Sequence, residues 1–231
     1  MSALGRAVDG ARHVGTILRK DLLVELRTKE VLLTMGLFAV LTVVIFSFAF
    51  YVDDDRARAY APGILWVTVI FSGTLGLNRL FDREQENDCM SALMLSSAGP
   101  KAIFLAKSLG NLLFTLVMEL LTVPLILLFF DLSVDRPALL LLVLLAGTVG
   151  FCFVGTLFAA MLVRARMKEV LLPLVVYPVV VPVIIGGVKA TSGILNGYPT
   201  DEVVEWARLL LAFDLVFVVL SVWLFERMWV E

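Results

Sequence analysis

Long apolar segments alternate with short polar ones along this chain of 231 residues. Six of the apolar segments are long enough to cross a bilayer, since a spanning helix needs about 20 residues. The pattern predicts spans at about 31–52, 61–81, 103–130, 137–163, 170–188 and 206–225. Polar turns at 53–56 and 131–136, and a longer loop over 189–205 that contains helix breakers, separate some of them. We therefore expect a single transmembrane domain over residues 1–231.

Ahead of the first span, apolar residues recur on one helical face while most charged residues fall off it. The apolar positions are Val14, Ile17, Leu18, Leu22 and Leu26, and the charged ones are Arg19, Lys20, Glu25 and Arg27. This pattern is typical of an amphipathic helix that lies in the membrane interface with its cations towards the headgroups. We predict such a helix over about 14–29. The alternative is a solvated lead-in whose long cationic side chains reach the interface.

The densest run of charge, residues 82–88, lies between the second and third predicted spans. In the stretch that follows it, 89–95, Met90, Leu93 and Met94 recur at helical spacing and predict a short amphipathic helix. A Gly-Pro pair at 99–100 ends this stretch, because Gly terminates helices well and Pro cannot continue one. We interpret residues 82–100 as the charged segment through which the chain contacts a partner.

Lysine and arginine residues fall mostly on one side of the predicted spans. Fourteen of the nineteen lie in the N-terminal stretch, in or beside the charged segment, between the fourth and fifth spans, or at the C-terminal end. By the positive-inside rule this side is cytoplasmic. We therefore expect a multi-pass membrane protein with both termini and the charged segment in the cytoplasm.

The composition predicts an all-α integral membrane protein. Hydrophobic residues make up 60% and charged residues 17% of the chain, and its mean hydropathy is +0.96. Soluble domains have roughly 45–50% apolar and about 25% charged residues. The sequence has no basic tract that would suggest nucleic acid as a partner.

Motifs for enzymatic chemistry are missing from the sequence. It has no G-x-x-x-x-G-K-[ST] loop, so the chain cannot bind ATP in the P-loop manner. Its single histidine, His13, lies outside the spans, which excludes His-cluster metal sites and leaves no base beside a nucleophile. The two cysteines, Cys89 and Cys152, have neither metal-binding nor redox spacing. We therefore expect no enzymatic activity, no metal site and no cofactor bound by this chain.

A polar seam runs along the third predicted span at three- and four-residue steps, formed by Ser108, Asn111, Thr115, Glu119 and Thr122. Glu119 falls near the middle of the span, where an ionisable group costs at least about 2.5 kcal/mol unless it is paired or hydrated. One hypothesis is a proton, substrate or conformational-coupling site. The other is polar contact between helices, which is usually modest in energy. Asp214 in the last span raises the same question.

Two other spans carry residues that affect helix packing. The fourth is rich in Gly and Ala, which predicts close contact with its neighbours. The fifth contains Pro173, Pro178 and Pro182, each of which removes a backbone donor and predicts a kink. One hypothesis is that these prolines mark a moving part. The other is that proline is simply tolerated in spanning helices.

Four stretches give the chain a resemblance to a known family. They are Ala61-Pro62-Gly63-Ile64-Leu65-Trp66, Arg79-Leu80-Phe81, Leu93-Met94-Leu95 and Ala106-Lys107. Together with the six spans and the total length, they resemble CcmB, the haem-exporter membrane subunit of cytochrome c maturation. The resemblance covers nearly the whole chain, and residues 61–66 are its most specific part.

The resemblance implies an ABC-2-like permease that works with a separate CcmA-like ATPase, which carries ATP and Mg²⁺. It also implies a CcmC-like haem-handling membrane protein, a CcmE-like periplasmic haem chaperone, and haem export or release of the loaded chaperone. A coupling helix after the second span would sit in a groove of the ATPase. The ATPase-coupling residues implied are Phe81, Asp82, Arg83, Glu84, Met90, Leu93, Met94 and Leu95. The resemblance also implies a homodimer or a hetero-oligomer, surrounded by lipid of the bacterial inner membrane.

Two departures from the family pattern affect the expected contact with the ATPase. Asp88-Cys89-Met90-Ser91 stands where related sequences commonly read Gly-x-Leu-Glu, and Ser97 stands where a Pro is usual. Three other functions also fit the residues. They are an ABC-2-type exporter subunit for lipid, drug or polysaccharide, a membrane assembly protein that transports nothing, and an acid-driven transporter that uses Glu119. Residues 61–66 favour CcmB over the first of these.

Overall fold

The computed structural model describes residues 3–50, 54–86 and 98–230, and every regular element within these ranges is a helix. The helices are α1 (Ala3–Thr28), α2 (Glu30–Ala49), α3 (Asp54–Arg79), α4 (Asp82–Glu86), α5 (Pro100–Phe129), α6 (Pro137–Met161), α7 (Lys168–Leu195) and α8 (Thr200–Val230). By length and composition α2, α3 and α5 to α8 can cross a membrane. The prediction of an all-helical protein with six candidate membrane spans is confirmed for the described residues.

A single residue forms the elbow between α1 and α2. Lys29 has a positive φ of 58° there, and its amide donates to Glu25 O at 2.7 Å. The buried Glu25 carboxylate accepts a hydrogen bond from the Leu32 amide at 2.9 Å, which satisfies one free donor at the start of α2. The amphipathic helix predicted over 14–29 is therefore part of a longer helix, which begins at Ala3 and leads directly into the first span.

The helices α3, α6, α7 and α8 share one apolar core. Trp66 of α3 is fully buried in this core, and its indole N–H donates to Thr191 Oγ1 of α7 at 3.0 Å. A Cβ added to Gly147 of α6 would lie 2.2 Å from the Trp66 ring, and one added to Gly187 of α7 would lie 2.3 Å from it. Both positions therefore require glycine, because no β-carbon fits beside the indole.

Two more contacts between α3 and α6 follow the same rule. A Cβ on Gly155 would lie 2.3 Å from Leu77, and a Cβ on Gly73 would lie 2.5 Å from Phe151. Each large side chain lies over a glycine of the facing helix, which lets the two backbones approach closely. The close packing predicted from the small residues of the fourth span is found at these positions.

The connection between α7 and α8 is shorter than predicted. The loop predicted over 189–205 shrinks to 196–199, because α7 and α8 both extend into it. The added residues of α7 are largely buried, and a Cβ on Gly193 would lie 2.9 Å from Val203 of α8. Gly193 therefore serves a close helix contact and does not break the helix. Gly197, with a φ of 70°, makes the turn.

Two other predicted features have a definite place in the fold. The helix α3 begins at Asp54, inside the turn predicted over 53–56. The three prolines of the fifth span, Pro173, Pro178 and Pro182, all lie within α7. Since α7 continues as one helix through all three positions, kinks at these prolines stay a prediction.

Candidate functional site

The described beginning of the charged segment is α4, which follows directly after α3. Four of the implied ATPase-coupling residues, Met90, Leu93, Met94 and Leu95, lie outside the described residues, as does the side chain of Arg83. The contact surface itself therefore stays a prediction. The structure does place the root of the segment, by which we mean Asp82 and Glu84 together with their partners Lys20, Asp21, Lys107 and Lys168.

Lys107 of α5 lies at the centre of this root and is only 3% exposed. Its Nζ is 2.9 Å from Glu84 Oε1 and 3.1 Å from Asp21 Oδ2. It also donates to Leu80 O at 3.1 Å, and it lies 5.4 Å from the centre of the Phe81 ring. A buried ammonium is tolerated only when it is paired and hydrogen-bonded, and these contacts meet that condition.

Lys20 of α1 joins the same cluster, with its Nζ 2.8 Å from Glu84 Oε1 and 3.0 Å from Asp21 Oδ1. Burial disfavours the charged form of Glu84, but Lys107 and Lys20 outweigh it and hold the pKa of this carboxyl below its ordinary value. Burial also opposes the charge on Lys20, but Glu84 and Asp21 outweigh it and raise the pKa of this amine. Glu84 and Lys20 are therefore both charged at neutral pH.

Asp82 ties the segment to a third helix. Its carboxylate forms a salt bridge with Lys168, the first residue of α7. Through Lys20 and Asp21 the root also reaches α1, and through Lys107 it reaches α5. The start of the charged segment is therefore joined to three separate helices by charged contacts.

The implied coupling residues that the structure describes are mainly buried against other helices of the chain. Phe81 is 2% exposed and Glu84 is 5% exposed, and both face helices of the same chain. Asp82 is partly exposed and pairs with Lys168. Such positions suit residues that hold the segment in place, while direct contact with an ATPase stays a prediction.

Sequence reasoning assigned no role to Lys107, Asp21 or Lys168. For Lys107 a signal existed, because a lysine inside the third predicted span needs a partner or a path to water. For Asp21 and Lys168 there was none, since an acid on an amphipathic helix and a base in a polar connection are ordinary surface features. Only the packing of α1 and α7 near α4 brings them together.

All five residues of the predicted polar seam lie on the buried side of α5. The Glu119 carboxylate accepts a hydrogen bond from the Thr148 hydroxyl, and Cys152 Sγ donates to Thr115 Oγ1 at 3.7 Å. Thr148 and Cys152 are four residues apart and share one face of α6. The observed contacts fit the interhelical interpretation of the seam, and a role in transport stays a prediction.

The half of the seam nearer the start of α5 is less completely paired. Among the described residues, the side-chain amide of Asn111 and the hydroxyls of Ser108 and Thr156 are buried without a hydrogen-bond partner. Asn111 Oδ1 lies beside α3, 3.5 Å from where a Cβ on Gly76 would be. Unpaired buried polar groups cost free energy. Water entering the junction of α3, α5 and α6, or a rearrangement there, would therefore lower the free energy by satisfying these groups.

An apolar groove of about 430 Å³ runs between α3 and α7. Trp66, Phe71, Tyr177 and Pro178 are among the residues that line it. In the ranges that the structure describes, no three His, Cys, Asp or Glu side chains gather as a metal site. The chemistry that this groove offers a ligand is therefore that of apolar and aromatic side chains.

A family model described as CcmB protein matches residues 12–227 of the chain. The chain belongs to the CcmB family. Heme exporter protein B of Bradyrhizobium diazoefficiens is 28% identical to this CcmB chain over 184 residues, which are 80% of this chain and 83% of the relative. The protein of the same name from Pseudomonas aeruginosa is 30% identical over 178 residues, 77% and 80% of the two chains. That from Haemophilus influenzae is 30% identical over 169 residues, 73% and 76% of them.

The resemblance to CcmB seen in the sequence is thereby confirmed. So is the interpretation of this CcmB chain as a multi-pass permease subunit of a bacterial transporter that is not itself an enzyme. The family match runs from α1 to α8 and includes the whole root of the charged segment.

Proposed function

We propose that this CcmB chain couples ATP hydrolysis by a separate CcmA-like ATPase to haem export or to release of a haem-loaded CcmE-like chaperone. Membership of the CcmB family supports the place in cytochrome c maturation. The buried Lys107–Glu84 pair carries the coupling step. Haem is the cargo or the signal, ATP and Mg²⁺ belong to the ATPase, and this chain binds no cofactor of its own.

The coupling step runs through the root of the charged segment. Residues 87–97 dock on the ATPase, and movement of this stretch pulls on α4. Because Glu84 is bound to Lys20 and Lys107, the pull reaches α1 and α5. The Asp82–Lys168 salt bridge passes it to α7, which borders the apolar groove. The Lys107–Glu84 pair is buried, so water screens it little, whereas Lys20, Asp82 and Lys168 are partly exposed and their pairs are weaker.

The arrangement in the membrane follows from the placement of the basic residues. Both termini and the charged segment lie in the cytoplasm, and the turn between α7 and α8 faces the periplasm. A CcmC-like protein and the CcmE-like chaperone are partners at the membrane and on the periplasmic side. A second copy or another membrane subunit completes the permease. A tag in residues 87–97 that proves accessible from outside intact cells contradicts this orientation.

Co-purification with a tagged CcmA-like ATPase of the same bacterium tests the docking. We expect Leu93→Asp and Leu95→Asp to abolish co-purification while the spans stay folded, because a charge at either position disfavours burial of that side chain against the ATPase. Tyr198→Asp, at an exposed position between α7 and α8, is the matched control. Undiminished co-purification of both leucine variants contradicts the proposed docking.

The apolar groove between α3 and α7 supports a second candidate, an ABC-2-type exporter subunit for a lipid or another apolar substrate. The two candidates differ in what stimulates the ATPase in proteoliposomes. Stimulation by haem or by the haem-loaded chaperone supports cytochrome c maturation, and stimulation by a lipid alone supports the exporter. No stimulation by any of them supports an assembly protein that transports nothing.

A further inference from the structure

The two acidic residues of α1 whose side chains the structure describes are turned towards the rest of the chain. Asp21 pairs with Lys107 at 3.1 Å and with Lys20 at 3.0 Å. Glu25 is 4% exposed and accepts a hydrogen bond from the Leu32 amide. Neither of them pairs with Arg19 or Arg27.

The outer face of α1 carries an exposed basic stripe. Arg19 and Arg27 are exposed and flank Leu23 at steps of four residues, so the three share one helical face. Neither arginine forms a salt bridge with any acid that the structure describes. Together with Thr16, Val24 and Lys20, whose ammonium is paired with Asp21 and Glu84, they line a shallow concavity along the helix. We call this set the α1 stripe.

The position of the stripe relative to the bilayer follows from the elbow at Lys29. Only this residue separates α1 from α2, whose 20 residues are apolar enough to cross the membrane. The stripe therefore lies close to the membrane surface. Leu23 and Leu26 are 48% and 64% exposed there, next to the free arginines. The exposed leucines can pack against acyl chains and the exposed cations can bind phosphate. A phospholipid supplies both groups.

We propose that the α1 stripe binds the headgroup phosphates of anionic phospholipids. Arginine pairs well with phosphate through its planar array of donors. Arg19 and Arg27 are eight residues apart, roughly 12 Å along a helix, which suits two neighbouring phosphates better than one. Leu23 and Leu26 lie on the acyl chains. Bound lipid thereby fixes α1, and through Lys20 and Asp21 it fixes the root of the charged segment.

Titration of the purified full-length chain in neutral detergent with fluorescent phosphatidylglycerol tests the site. We expect Arg19→Gln/Arg27→Gln to bind this lipid about tenfold to thirtyfold more weakly, since each basic residue near an anionic surface contributes measurably. Arg19→Lys/Arg27→Lys keeps the charge and retains most of the affinity. Arg164→Gln/Arg166→Gln removes two exposed arginines outside the stripe and leaves the affinity unchanged.

Four results overturn the proposal. One is an equal loss of affinity in the Arg164→Gln/Arg166→Gln control, and another is equal binding of phosphatidylcholine and phosphatidylglycerol. A third is complete displacement of the lipid by millimolar inorganic phosphate, which shows a simple anion site. The last is loss of ATPase co-purification in Arg19→Gln/Arg27→Gln with unchanged lipid affinity, which shows that the stripe faces a protein. Lipid titration and ATPase co-purification are separate measurements, so the lipid site and the proposed ATPase docking can be contradicted independently.

Discussion

Trp66 donates its indole N–H to Thr191 Oγ1 at 3.0 Å while its ring touches Gly147 and Gly187. The Trp66 side chain thus sets the distance from α3 to both α6 and α7. It also satisfies its only polar atom inside the membrane, where an unpaired donor is costly. Trp66 is the last residue of the stretch that most strongly indicates the family. Its contacts give a structural reason for a tryptophan at this position.

Replacing Gly147 by Ala should destabilise the bundle. The new Cβ would lie 2.2 Å from the fully buried Trp66 ring, so helices must move apart at a cost of about 1–3 kcal/mol. We expect a lower Tm in detergent, measured by the loss of the monodisperse peak on heating. Gly63→Ala is the control, because a Cβ there meets nothing within 4 Å. Equal Tm values for the two variants would show that the core yields around Trp66.

Replacing Lys107 by Met should damage both stability and coupling. The change removes the buried partner of Glu84 and Asp21 and leaves them only Lys20, so the free energy of unfolding should fall by up to about 3–5 kcal/mol, the cost of breaking a buried pair. We expect a lower Tm and loss of ATPase stimulation. Lys101→Met removes the exposed pair with Glu226 and should cost less than about 1 kcal/mol. A Lys107→Met variant that is stable and fully coupled would remove the root from the proposed mechanism.

Glu84 makes part of the stability depend on pH. Burial raises its pKa, but Lys107 and Lys20 lower it more, so the folded state prefers the charged form. This contribution is complete above the ordinary carboxyl pKa of about 4.3 and is lost as pH falls through the lower pKa of the folded chain. We expect the Tm difference between the natural chain and Glu84→Gln to be largest near neutral pH and to shrink in acid. Glu202→Gln, at an exposed position outside the root, is the control, and a Tm difference as large as that of Glu84→Gln would contradict the prediction.

Replacing Glu119 separates the two hypotheses for the polar seam. Glutamine can still accept the hydrogen bond from Thr148, so Glu119→Gln should keep its Tm and its ATPase stimulation across pH. Glu119→Leu removes the acceptor and should lower stability by about 1 kcal/mol. Loss of activity in the Gln variant with an unchanged Tm would instead favour a proton or coupling role.

The sequence by itself determined the helical class, the number of candidate spans and the family. Hydrocarbon demands long apolar helices whose backbone groups are satisfied internally, so length and hydropathy are sufficient to find them. The polar seam was also predictable, because a helical period of 3.6 residues places its members on one face.

Only the tertiary structure decided which residues meet. Lys107, Glu84 and Asp21 come from three separate helices, and no local pattern encodes their contact. The extension of α7 through Gly193 was missed for the same reason, since glycine reads as a breaker until Val203 of α8 is seen against it. Packing between helices distant in sequence sets these features, whereas the local pattern of hydropathy sets the spans.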